Sequence, residues 1–203
     1  MSHADREGYA VDTTQMDSRW PTHACPAEFW EELGRTIAAF GFLEDSLQRA
    51  NLAITATRKY RSVHEAEEAF ETWERDLELS MDETLGALAH RFVTALKDDE
   101  RHSRKDETEI ERKLKLVAWW RNALCHGAWT DYDSMSGYAT LRYWPRKQWR
   151  EQGDRPISRN DLARIRRGAV EVTILVIDAV TTRGIRFPGS DSPGSAMLPD
   201  QET

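Results

Sequence analysis

Apolar residues recur every three or four positions through most of this chain, which is the periodicity of helices that bury one face. The first such stripe follows Pro26, a residue suited to the first turn of a helix. It predicts one long helix that ends near Arg58. The apolar positions of this stripe are Trp30, Leu33, Ile37, Phe40, Leu47 and Ile54.

Two further helical regions follow the first. One covers about residues 63–96 and is either a single helix or two, because Ser80 and Glu83 have the spacing of a capping box. The other covers about residues 106–126. Its apolar stripe consists of Ile110, Leu114, Val117 and Leu124.

The pattern changes after Gly127. Aromatic and polar residues surround a turn at Gly137, which predicts a small β-hairpin over about residues 128–145. The predicted fold class is therefore all-α, as a four- or five-helix up-and-down bundle with this hairpin inserted before the last helix.

The last helix is predicted to begin at an N-cap, Ser158 or Asn160, and to end at Gly184. After Val170 it is apolar on nearly all sides. Such a composition predicts the most buried helix of the bundle.

The 203 residues fit one domain, predicted over residues 21–187. Residues 1–20 and 188–203 are polar or rich in turn formers, so we expect disordered tails. No apolar run is long enough to span a membrane and the first residues lack a signal-peptide pattern, so we expect a cytoplasmic protein without membrane contact. The two cysteines match no familiar metal-site spacing, and no metal or cofactor is predicted.

The net charge of −7 is distributed unevenly. Residues 1–100 carry 10 basic and 21 acidic side chains, whereas residues 101–187 carry 18 and 11. Arginine supplies 22 of the 28 cations, and its guanidinium group suits forked bonds to phosphate. The basic half is either a binding surface for an anion or a solvated helical surface.

Three polar residues interrupt the helical stripes. Steps of three and four place Glu44 and Asn51 on the apolar face of the first helix and Arg121 on that of the third. Burying a single charge costs roughly several kcal/mol of folding free energy, and the cost is much smaller if the charge pairs with an opposite one. We therefore predict that Glu44 pairs with Arg121. The pair is either purely structural or holds the guanidinium ready for an anion.

Arg121 also begins the segment Arg-Asn-Ala-Leu-Cys-His, which closes the third helix before Gly127. His126 is thus expected in the final turn. Two residues five apart on a helix point about 140° apart, so only a curled arginine side chain reaches the ring. Asn122 precedes His126 by four residues, close enough to hydrogen-bond the ring and select its tautomer.

These residues resemble the HEPN superfamily (higher eukaryotes and prokaryotes nucleotide-binding), whose signature is Arg, four to six residues and His, often with a polar residue after the Arg. Arg121, Asn122 and His126 match it. The likeness covers roughly residues 26–184, and its specific part is this motif together with Glu44. Members that pair with a nucleotidyltransferase antitoxin often carry Tyr where this chain has Ala128, so that form of regulation is not expected.

The resemblance implies a metal-independent endoribonuclease of a toxin–antitoxin, phage-defence or RNA-processing system. It implies a homodimer, with an antitoxin or defence-system protein as a further partner. His126 is then the general acid and base, Arg121 holds the scissile phosphate, and Asn122 orients one or both. The product is RNA ending in a 2′,3′-cyclic phosphate, and DNA, without a 2′-OH, is not cut.

The family also includes members thought to bind RNA, nucleotides or proteins without cutting. A non-catalytic binding module is therefore the alternative, and a purely structural helical dimer is a third interpretation.

Rings and cations alternate in and after the predicted hairpin. Tyr138, Arg142, Tyr143, Trp144 and Arg146 are candidate RNA contacts, because rings stack on unpaired bases and cations bind phosphates. In the alternative, the hairpin packs its rings on the bundle and extends its cations into water.

Overall fold

The computed structural model describes residues 13–57, 62–71, 83–99, 104–143 and 154–189, apart from 15, 65, 66 and 69. The chain is mostly helical and carries a small antiparallel sheet of three strands. The helices are α1 (Ala27–Ala56), α2 (Leu85–Lys97), α3 (Arg104–His126) and α4 (Arg159–Thr181). The strands are β1 (Ala128–Asp133), β2 (Tyr138–Arg142) and β3 (Arg155–Ser158).

Helix α1 occupies the centre of the fold. It packs most extensively on α4 and also contacts α2 and α3. Its fully buried side chains include Phe29, Phe40, Leu43 and Leu47. Ile37, expected in the apolar stripe, is 38% exposed instead, because the buried face is centred on these neighbouring positions.

The prediction that the last helix is the most buried one is wrong. Val170 and Ile174 of α4 are 47% and 52% exposed, since the core covers only one face of this helix. That face carries Leu162, Ala169, Val172, Val176, Ala179 and Val180.

Helix α2 begins at a different capping residue from the predicted one. The hydroxyl of Thr84 accepts a hydrogen bond from the backbone N–H of Ala87 at 3.4 Å, so Thr84 is the N-cap. Glu83 precedes the helix, and Ser80 lies outside the described residues. The residues described as helical between 63 and 71 belong to the earlier part of the predicted second region.

Two polar contacts join α1 and α3 to α2. Asn51, the second polar residue on the α1 stripe, is buried and donates to the backbone carbonyl of Leu88 at 3.3 Å. The carboxylate of Glu111 on α3 forms salt bridges with the Nζ atoms of Lys97 at 2.8 Å and Lys115 at 2.6 Å. Hydrogen bonds from Lys115 and then Lys97 lower the pKa of Glu111 from 4.5 to about 2.

A buried ion pair connects the ends of α2 and α4. The Nε of Arg183 lies 3.2 Å from Oδ2 of Asp99, and the two side chains are 0% and 6% exposed. Beyond Arg183, Gly184 takes a left-handed conformation with φ of 73°, as the predicted helix end requires.

The predicted hairpin is present, and a third strand extends it. Strands β1 and β2 are joined through a turn at Gly137, whose φ is 74°. The hairpin ends at Arg142 and not near 145. Strand β3, which the sequence pattern did not predict, pairs with β2 and leads directly into α4 at the Ser158 N-cap.

No helix within the described ranges is long and apolar enough to cross a membrane. Most of the two predicted tails lies outside those ranges.

Candidate active site

The predicted pair between α1 and α3 is present. The Nε of Arg121 donates to Oε1 of Glu44 at 3.1 Å, and the two side chains keep 23% and 26% of their exposure. Each charge lies at the edge of an apolar stripe, where the other one compensates it. The contact fixes the Nε edge of the guanidinium and leaves its Nη atoms able to contact other groups.

The second edge of Arg121 reaches the end of its own helix. Its Nη1 lies 3.4 Å from Nε2 of His126 and donates to Oδ1 of Asn122 at 3.4 Å. The arginine therefore curls as the motif requires. Asn122 is predicted to orient Arg121, His126 or both. In the described part of the chain its hydrogen bond goes to Arg121, so it orients the guanidinium.

The contact between Arg121 and His126 constrains the imidazole. A guanidinium is only a hydrogen-bond donor, so a hydrogen bond in this contact requires the tautomer in which Nε2 of His126 is the acceptor. At 3.4 Å the contact is long and easily exchanged for a better acceptor. His126 is exposed to solvent at the helix end. The site thus offers a proton acceptor beside a cation.

Gly127 ties this histidine to the sheet. Its N–H bonds the Ala123 carbonyl at 2.9 Å, and β1 starts at the next residue. A Cβ at this position would lie 2.5 Å from the Ala123 oxygen and would overlap Leu141 of β2. Glycine is required here by the close approach of these atoms.

The thiol of Cys125 lies beside the Glu44–Arg121 pair. Burial raises its pKa above the ordinary value of 9.0, Arg121 opposes this shift, and Glu44 adds to it. The thiol therefore stays protonated near neutral pH and is a poor nucleophile. The imidazole of His126 is therefore better suited than this thiol to accept a proton.

A row of side chains extends from His126 along one face of α3. Lys115, Trp119, Asn122 and His126 follow one another at steps of four, three and four, which places them on the same side of the helix. Between this face and α2 lies a cavity of about 290 Å³, bordered by Trp119 and Asn122 among others. Sequence reasoning missed Trp119 and Lys115, although their spacing from His126 was a usable signal.

The cavity wall at Trp119 is held by three neighbours. Trp120 and Tyr143 meet its ring edge to face, at centroid distances of 4.7 and 6.1 Å. The guanidinium of Arg155, from the unpredicted strand β3, lies 4.9 Å from its ring centroid. The indole is therefore fixed in position.

The residues predicted as RNA contacts in and after the hairpin do not form one common surface in the described part of the chain. Tyr138 is 40% exposed on β2. Arg142 bonds Asp154 at 2.9 Å, so an opposite charge already compensates its own. Tyr143 packs on the cavity wall, whereas Trp144 and Arg146 lie outside the described residues.

A second cavity, of about 490 Å³, lies against α1, α3, β3 and α4. None of the described candidate site residues lines it. In the described part of the chain, no three His, Cys, Asp or Glu side chains gather as metal ligands.

Comparisons of the chain with protein-family models, with curated proteins and with solved structures gave no match.

Proposed function

We propose that this chain is a metal-independent endoribonuclease of the HEPN type. The observation that carries the proposal is that one guanidinium, held by Glu44 and Asn122, reaches Nε2 of an exposed histidine. RNA transesterification requires a cation for the phosphate, a base for the attacking hydroxyl group and an acid for the leaving oxygen, and this site offers the first two in contact with each other.

In the proposed reaction, a phosphate of RNA replaces Nε2 of His126 as the acceptor for Arg121. This exchange frees Nε2 to take the proton of the adjacent ribose 2′-OH. The 2′-oxygen then bonds to phosphorus, the bond from phosphorus to the 5′-oxygen of the next nucleotide breaks, and that oxygen receives a proton from an imidazolium. The products are a 2′,3′-cyclic phosphate and a 5′-hydroxyl.

The proposal includes the finer features that the resemblance implies. The helices form an up-and-down bundle, and two copies of the chain place their α3 ends across one cleft. One His126 then accepts the 2′-OH proton while the other protonates the leaving oxygen. We propose a cytoplasmic setting in toxin–antitoxin, phage-defence or RNA-processing systems.

The test is RNA cleavage by the full chain in the presence of EDTA. Variant His126→Ala should lose at least about 100-fold in rate, the lower range for general acid–base catalysis. The matched control is His64→Ala, since His64 is also exposed and lies on a helical segment that is distant in sequence from His126. It should cut like the parent. Equal cleavage by His126→Ala would refute the proposal.

The alternative function is a non-catalytic module that binds RNA, a nucleotide or a protein. It is favoured by the cavity beside Asn122, which is a binding feature independent of the histidine. In the same assay, folded protein that retains RNA without cutting it, for both parent and His126→Ala, would favour this alternative.

A further inference from the structure

The cavity between α2 and α3 shares Asn122 with the candidate active site, because Asn122 borders the cavity and accepts a hydrogen bond from Arg121. Helix geometry sets the distances along this face. With a rise of about 1.5 Å per residue, Asn122 lies about 6 Å and Trp119 about 10 Å before His126 along the axis. If a phosphate of RNA is bound at Arg121, the base of the adjacent nucleotide is long enough to cover this distance and to reach Asn122 and Trp119.

The lining of the cavity combines an aromatic wall with polar groups. Trp119 supplies the wall, and Asn122, Lys115, Glu111 and His90 supply hydrogen-bond donors and acceptors. The small residues Gly86 and Ala89 on the α2 side leave the space open. Its volume of about 290 Å³ is at the lower limit of small-molecule sites, which suits one flat ring system.

We propose that this cavity is a nucleobase subsite, which holds an unpaired base of RNA next to the scissile phosphate. The inference rests on the proposed function in that RNA is the ligand. Base binding to aromatic side chains is tolerant of sequence, whereas the polar groups at Asn122, Glu111 and Lys115 select among bases by their hydrogen-bonding edges. The subsite therefore gives the enzyme a preference at one position beside the cut.

Gly86 allows a direct test, because a Cβ there meets only the Thr84 hydroxyl at 4.0 Å. Variant Gly86→Leu fills the cavity without a clash at the backbone. Gly34→Leu is the matched control, since Gly34 is an exposed helical glycine with no atom within 4 Å of a Cβ. Thermal unfolding of both variants verifies that they fold.

The probes are fluorescent 2′-fluoro hexanucleotides of A, C, G or U, which lack the attacking hydroxyl, and an abasic chain of the same length. The parent should bind at least one base-bearing probe about 10- to 100-fold more tightly than the abasic chain, as expected for base stacking. Gly86→Leu should lose this difference and Gly34→Leu should keep it. A parent that does not distinguish the probes, or a Gly86→Leu variant that does so fully, would overturn the proposal.

A second variant, His90→Ala, tests the same proposal if Gly86→Leu does not fold. His90 is exposed on α2 and borders the cavity, so His90→Ala leaves the core intact. It should weaken binding of the preferred probe about 2- to 10-fold, the loss of one hydrogen bond, with no effect on the abasic chain. An equal effect on both probes would contradict a base contact.

Cleavage of unmodified RNA separates this proposal from the proposed function. If the parent binds bases selectively but does not cut, the nuclease fails and the subsite stands. If the parent cuts RNA with the same flanking-base pattern as Gly86→Leu, the nuclease stands and the subsite fails.

Discussion

Replacing Glu44 by glutamine removes the charge that Arg121 faces and keeps the size of the side chain. The atoms lie 3.1 Å apart and the side chains are 23% and 26% exposed. An exposed ion pair contributes about 0–1 kcal/mol, and breaking a fully buried one costs about 3–5 kcal/mol. This pair is mostly buried, so we expect Glu44→Gln to lower the free energy of unfolding by about 1–2 kcal/mol.

Urea denaturation measures this loss, and a double-mutant cycle with Arg121→Gln isolates the pair. The coupling energy should also be about 1–2 kcal/mol. Asp45→Asn is the control on the same helix, because Asp45 pairs with Arg49 at 2.8 Å in an exposed setting. It should cost less than about 0.5 kcal/mol. Equal losses for the two variants would refute the reasoning.

The same variant tests whether the pair positions Arg121 for chemistry. A misplacement of about 1 Å can cost about 100-fold in rate. RNA cleavage by Glu44→Gln should therefore fall by about tenfold or more, while Asp45→Asn should cleave at the parental rate. Unchanged cleavage by a Glu44→Gln protein of reduced stability would assign the pair a structural role only.

Three further predictions concern stability. Gly127→Ala should cost about 1–3 kcal/mol in thermal unfolding through overpacking at the sheet, and an unchanged midpoint would contradict the close approach. Asp99→Asn removes the carboxylate that faces the buried guanidinium of Arg183 and should cost up to about 3–5 kcal/mol in urea, and a loss below about 1 kcal/mol would argue against the pair. The lowered pKa of Glu111 means that its contribution is complete above pH 4.5 and is lost as the pH falls to about 2. The urea midpoint of Glu111→Gln should therefore depend less on pH in this window, and parallel curves would contradict it.

The Glu44–Arg121 pair was predictable from the sequence because a charge between the apolar positions of a stripe needs a partner, and these two opposite charges lie within the stripes of the first and third helices. The reach of Arg121 to His126 depends on a side-chain rotamer, which the spacing allows but does not determine. The choice of Arg121 over His126 as the partner of Asn122 depends on the same rotamer.

The elements that the sequence did not predict have weak local signals. Strand β3 has four residues, contains Pro156 and buries only Ile157, so no alternating pattern is visible. Pro156 is tolerated because β3 is an edge strand. The exposure of Val170 and Ile174 was likewise not predictable, because burial depends on which neighbours cover a helix face and not on its composition alone.

One residue, Gly127, separates α3 from β1. An insertion there would turn successive strand side chains to the opposite sheet face, and a deletion inside the last helical turn would rotate the imidazole by about 100° around the axis. The length of this junction is consequently more constrained than its composition. Relatives that keep four residues between the arginine and the histidine should also keep a single residue between the helix and the strand, even where the surrounding surface has diverged.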